Sequence, residues 1–200
     1  MRILLIGATG TIGKQVQQRL SKDHEVITVG HKDGDYQVDL GDKASIQRLF
    51  EQTGDVDAVI STAGMAAFAP LTDLSDEQFE LGWHNKLMGQ INLLRVGHRF
   101  INKGGVVLLT SGMLANEPIP GSVSVSAVNG ALNSFVKAAS IELGDKVRIN
   151  AVSPIFVKET MEMMGMDSSA GMSATDTAIA YQAALDGDMT GEVIDVRDYA

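Results

Sequence analysis

Short apolar runs alternate with longer stretches of helical period along the whole chain. Arg2–Ile6 is a continuous apolar run, the pattern of a parallel strand buried on both faces. Beyond it, Ile12, Val16 and Leu20 recur at helical spacing. The same periodicities predict strands at Glu25–Val29, Asp57–Ile60, Val106–Thr110, Val147–Val152 and Glu192–Val196. They predict helices at Ala44–Phe50, Asp76–Phe100, Ser122–Leu143 and Thr175–Leu185. Strands alternating with helices imply an α/β fold with a Rossmann-type, doubly wound parallel sheet. With no internal repeat and no linker, residues 1–200 are expected to form a single domain. Met161–Ala174, rich in methionine, serine and glycine, is the one irregular tract and is expected to be a mobile loop.

Between the first strand and the first helix stands Gly7-Ala8-Thr9-Gly10-Thr11-Ile12-Gly13. Free N–H groups and the dipole at a helix N-terminus suit a pyrophosphate, and glycines let the backbone approach it closely. A glycine trio alone is weak evidence, but its place directly after a buried N-terminal strand makes it specific. The motif predicts a dinucleotide-binding domain, with Gly7, Thr9, Gly10, Thr11, Ile12 and Gly13 at the phosphates. An NAD site usually carries an acid at the end of the second strand, where it bonds the ribose 2′-hydroxyl. Here that place holds Gly30, followed by His31 and Lys32. Two potential cations without a carboxylate suit a 2′-phosphate, so NADP is expected. NAD remains the alternative because Asp33 and Asp35 are near.

Composition narrows the picture further. A formal net charge of −9 argues against a nucleic-acid backbone as partner, which requires a basic surface. The absence of cysteine excludes thiol catalysis, zinc–cysteine sites and disulfides, and the histidines form no metal-ligand spacing. No apolar run approaches the ~18 residues of a membrane span. A small-molecule substrate and a cytoplasmic location are expected, with no metal, nucleic acid or membrane.

The chain resembles the short-chain dehydrogenase/reductase family over nearly its full length. The glycine turn is the first match, and Asp39-Leu40 resembles the family's adenine-contacting pair. Ser61-Thr62-Ala63-Gly64 is similar to the Asn-Asn-Ala-Gly motif, with the Ala63-Gly64 half retained. Leu108-Leu109-Thr110-Ser111 matches the strand that ends in the catalytic serine. Arg148–Pro154 resembles the sixth strand, and Gly191–Val196 the last. The resemblance implies cofactor contacts from Asp39, Leu40, Ala63, Gly64, Pro154, Val157 and Thr160. It also implies a homodimer or homotetramer formed through the two long helices, with Leu87, Leu94, Val123 and Val136 as outward seam positions.

The family's proton-transfer pair is a tyrosine four residues before a lysine on the long helix, and it has no counterpart here. Val125 stands at the tyrosine and Asn129 at the lysine. Valine cannot transfer a proton, and asparagine can hold a ribose hydroxyl but carries no charge. Ser111 keeps the serine position, and Lys86 replaces the family's asparagine on the preceding long helix, with Asn85 beside it. A lysine there could return the missing cation from a neighbouring helix. The expected catalytic set is therefore Ser111, Lys86 and Asn129. The activity expected is hydride transfer to or from a small carbonyl, quinone or flavin-like substrate. The competing expectation is an NADP(H)-binding sensor or regulatory module without turnover. Met161, Met163, Met164, Met166 and Met172 could form a soft lid over an apolar substrate.

Overall fold

The computed structural model describes residues 1–199. Seven parallel strands form one sheet in the order β3-β2-β1-β4-β5-β6-β7. They are β1 (Arg2–Ile6), β2 (Glu25–Gly30), β3 (Tyr36–Gln37), β4 (Val56–Ser61), β5 (Ile101–Thr110), β6 (Val147–Ser153) and β7 (Val193–Asp195). The chain winds outward from β1 through β2 to β3, then returns to the other side of β1 with β4. The strand order therefore reverses between β1 and β4, and the crevice at such a reversal is where open α/β sheets bind ligands.

Alternation along the central strands supplies both faces of the core. Leu4 and Ile6 of β1 pack on one side with Val29, Phe50, Leu93 and Val128. Ile3 and Leu5 pack on the other with Val16, Ala58, Tyr181 and Leu185. The first face is covered by α2 (Lys43–Thr53), α4 (Met88–Gly97) and α5 (Val123–Leu143). The second is covered by α1 (Thr11–Leu20) and α7 (Ala174–Asp186), which also pack on each other. No helix among the described residues is long and apolar enough to cross a membrane.

Two expectations need correction. The stretch Asp76–Phe100 is not one helix: α3 (Asp76–Leu81) and α4 are joined by a π-helical turn, Gly82–Leu87. Within the Met161–Ala174 tract, α6 (Lys158–Met163) runs into its start and Val157 bridges Met172 in parallel. Met161 is buried, whereas Met163, Met164 and Met166 face outward and line neither cavity described below. Of the four proposed seam residues, Leu87, Leu94 and Val136 turn onto the sheet and are buried, leaving only Val123 exposed. The phases of α4 and α5 place those three side chains in the core, so any pairing through these helices needs other side chains.

Arg148 closes the C-terminal end of α7. Its guanidinium donates to the carbonyls of Ala184, Leu185 and Met189, at 3.3, 2.9 and 3.3 Å. A cation at the negative end of a helix dipole is well placed there. Arg148→Ala is expected to lower unfolding stability by about 1.5–3 kcal/mol, the range for hydrogen bonds to a charged group. Urea denaturation of the two proteins checks this, and equal midpoints would contradict it.

Candidate functional site

At the end of β1 the chain turns through Gly7, whose φ of +83° lies in the left-handed region. The turn brings Gly13 so close that a Cβ there would lie 1.9 Å from the Gly7 carbonyl oxygen. Helix α1 begins at Thr11 with Gly10 at its cap position and no side-chain cap. Among the described residues, no hydrogen bond uses the N–H groups of Thr11, Ile12 and Gly13. This bare helix end, with a backbone cradle that a side chain would fill, fits a pyrophosphate. Thr62 clips the next strand end onto the turn, its hydroxyl donating to the Ile6 and Gly7 carbonyls at 3.1 and 3.2 Å.

Beside the turn lies a cavity of about 270 Å³, lined by Gly7, Thr9, Gly30, His31, Leu40 and Gly64 among others. A Cβ at Gly30 would stand 2.3 Å from the Asp33 carbonyl oxygen and 3.1 Å from Thr9 Oγ1. The position therefore leaves no room for the carboxylate that would bond a ribose 2′-hydroxyl. Asp35 is turned away from the cavity, accepting from Thr28 N and Thr28 Oγ1 at 2.9 and 2.8 Å. The backbone hydrogen bond from Thr28 holds its carboxyl below the usual carboxylate range. Lys32 and Asp39 are exposed and lie outside the lining; Asp39 Oδ1 accepts from Gly41 N at 2.8 Å.

A second cavity of about 250 Å³ adjoins the first, lined by Lys86, Ser111, Val125, Asn129, Pro154 and Val157 among others. Lys86 enters from the π-helical turn, and Val125 and Asn129 from successive turns of α5. Lys86 Nζ donates to the Ser111 carbonyl at 2.9 Å, and Asn129 Nδ2 to the Gly112 carbonyl at 3.4 Å. Desolvation pushes the Lys86 ammonium down to about 8. Ser111 Oγ and Asn129 Oδ1 are buried with no hydrogen-bond partner. Buried polar atoms normally find partners, so these two orphans, on residues that line one cavity, are unmet valences at its wall. Ser111, Lys86 and Asn129 are thus brought together. Thr160 is not, because α6 carries it outward, exposed and outside the lining.

The platform beneath Ser111 was missed in the sequence. Gln90 Oε1 accepts from Thr110 N at 2.8 Å, and its Nε2 donates to Thr110 O at 2.9 Å. Thr110 Oγ1 reaches the Ser61 carbonyl at 2.5 Å and the Tyr181 hydroxyl at 2.6 Å. Burial raises the Tyr181 pKa, and this tyrosine packs on the opposite face of the sheet from α5, where it serves as a strut. The available signal was spacing: Lys86 and Gln90 are four apart on a helix and so share a face.

With this geometry in place, similarity to known proteins is decisive. Residues 7–194 match the family model described as enoyl-(acyl carrier protein) reductase. The chain belongs to the short-chain dehydrogenase/reductase family. This short-chain dehydrogenase/reductase is similar to versicolorin reductase 1 of Aspergillus parasiticus, with 33% identity over 131 residues. The match covers 62% of this chain and 50% of that protein, so the chain spans about half the length of such curated relatives. Carbonyl reductase [NADPH] 2 of Sus scrofa is 27% identical over 179 residues, 80% of this chain and 73% of that one. Among solved structures, protein lin1944 from Listeria innocua superposes with a TM-score of 0.93 at 40% identity, covering 98% and 99% of the two chains. A small-chain dehydrogenase in complex with NADPH gives a TM-score of 0.87 at 28% identity, over 98% and 95%.

Proposed function

We propose that this protein is an NADP(H)-dependent reductase of a small carbonyl, quinone or flavin-like substrate, with Ser111, Lys86 and Asn129 as its working residues. The observation behind it is the convergence of Lys86 Nζ, the unpartnered Ser111 Oγ and Asn129 on one cavity beside the glycine turn. The N–H groups of Thr11, Ile12 and Gly13 would hold the pyrophosphate, Leu40 and Asp39 would serve the adenine end, and Ala63, Gly64, Pro154 and Val157 would flank the rest. When bound, a reduced nicotinamide would supply a hydride to the acceptor, at carbon in a carbonyl compound or at a ring nitrogen in a flavin. Ser111 donates a hydrogen bond to the acceptor oxygen, and the Lys86 ammonium delivers the proton that oxygen needs as charge develops on it. Lys86 is then reprotonated from water. Asn129 holds a ribose hydroxyl in place of the family's lysine.

The crowding at Gly30 and the engagement of Asp35 favour NADP over NAD, with His31 at the cavity wall and Lys32 beside it meeting the 2′-phosphate. The double variant His31→Ala, Lys32→Ala is expected to weaken NADPH about tenfold and leave NADH unchanged, the weight of one or two charge-assisted contacts. Equal loss for both cofactors would remove the assignment.

Turnover is tested by following NADPH oxidation with a quinone, a flavin and an aldehyde in turn. Oxidation with any of them supports the reductase. A sensor without turnover is the second possibility, favoured by Val125 at the place of the family's acid. Tight NADPH binding with no oxidation of any acceptor would favour it. Pairing into a homodimer or homotetramer through α4 and α5 is also proposed, with the small residues Ala127, Ser134 and Ala138 exposed on α5. A monomer mass in light scattering at micromolar concentration would contradict that.

A further inference from the structure

The distribution of charge in the cleft is lopsided. Lys86 and His31 are the ionisable side chains that line the two cavities, and none of the lining residues is acidic. Around Lys86 the walls are apolar: Met113, Leu114, Val125, Ile155 and Phe156. An ammonium has three N–H donors, and one is used on the Ser111 carbonyl. No carboxylate forms a salt bridge to Lys86 among the described residues. A cation desolvated by apolar surroundings without a counter-charge is costly, and burial accordingly pushes this amine down to about 8. The Ser111 hydroxyl, 3% exposed and unpartnered, belongs to the same wall and is left for the acceptor oxygen of the reduction. Two spare N–H groups on a cation in an otherwise uncharged pocket describe a receptor for oxygen that carries negative charge.

We infer that the cavity selects substrates bearing an anionic oxygen, either a carboxylate or an ionised phenol, seated on a spare N–H of Lys86 Nζ. The inference rests on the reading of this cleft as a reductase site and adds to it the charge class of the substrate. The apolar body of the molecule lies toward Leu114, Val125 and Phe156, and the oxygen supplies the counter-charge that the protein withholds. A neutral molecule of the same shape leaves the ammonium desolvated and unpaired. Selection therefore comes as much from rejection of the neutral form as from attraction of the anion.

The test is calorimetric titration of the NADP⁺-loaded protein with benzoate, with its neutral counterpart benzamide, and with 4-nitrophenol above and below its ionisation. Benzoate, or 4-nitrophenolate, is expected to bind at least about tenfold more tightly than the matching neutral molecule, the weight of a charge-assisted hydrogen bond in a dry site. Preference for benzoate alone assigns the carboxylate, and preference for the phenolate alone assigns the phenol. In Lys86→Met the ratio is expected to collapse to about one. Equal binding of charged and neutral probes by the wild-type protein would overturn the inference, and that ratio decides the matter even where the variant does not fold. Failure of NADP⁺ to bind is a separate result that overturns the reductase reading instead.

Discussion

Lys86→Met is expected to lower kcat/KM for the reduction about 10²- to 10⁴-fold, the range for losing a positioned general acid. NADPH affinity should change far less, because Asn129 and the glycine turn remain. The expectation follows from the cleft's chemistry: among the described residues, Lys86 is the ionisable group in the nicotinamide-side cavity, and Val125 occupies the turn where the family keeps its acid. The pH profile sharpens it. Lys86 acts as an acid only when protonated, and desolvation has brought it down to about 8. Reduction should therefore run on a plateau at neutral pH and fall as pH rises through about 8. The methionine variant should show a low rate without that inflection. An unchanged rate in Lys86→Met, or an inflection that survives it, would assign the proton to another group.

The other large effect is expected at the phosphate turn. Gly13→Ala puts a methyl carbon 1.9 Å from the Gly7 carbonyl oxygen and 2.7 Å from its carbon. Both are backbone atoms in a turn clipped to β4 by Thr62, so neither can swing aside as a flexible side chain would. Forcing the helix away from the strand should destabilise the fold by about 1–3 kcal/mol or more, as overpacking does. NADPH binding should be lost by at least about a hundredfold, because the N–H groups of Thr11–Gly13 no longer converge on one phosphate. A thermal melt and a cofactor titration on the same sample check both. Wild-type affinity in a stable Gly13→Ala protein would contradict the geometry.

The parts of the molecule that the sequence reveals share a physical cause. Strands β1, β4 and β5 carry buried apolar runs at Ile3–Ile6, Ala58–Ile60 and Val106–Leu109, and β6 follows the same pattern around Asn150. The glycine turn is equally plain because its residues answer a backbone requirement that side-chain burial does not obscure. Strand β3 escaped because it is two residues long at a sheet edge, where pairing needs no hydrophobic pattern. The π-helical turn escaped because its residues keep helical φ and ψ, and the insertion shows only in the hydrogen-bond register.

Misplacement of side chains has a different origin. Analogy with a paired helix turns Leu87, Leu94 and Val136 outward, but apolar periodicity cannot say which stripe meets the sheet. Thr160 fell outside the cleft because α6 starts at Lys158 and fixes the direction of every following side chain. Lys86 was legible as a candidate because it stands three residues before Gly89, at the place of the family's helix asparagine. Its contact with the Ser111 carbonyl depends on how two distant elements pack, which no local pattern encodes. The contacts of Gln90 and Tyr181 are hidden for the same reason: their partner Thr110 is 20 and 71 residues away.

The most direct test of the cleft is a fluorescence titration of the purified protein with NADPH and, separately, with NADH. Micromolar binding of NADPH with NADH at least about tenfold weaker is the predicted result. Binding of neither would contradict the account at its root, since the glycine turn would then hold no dinucleotide.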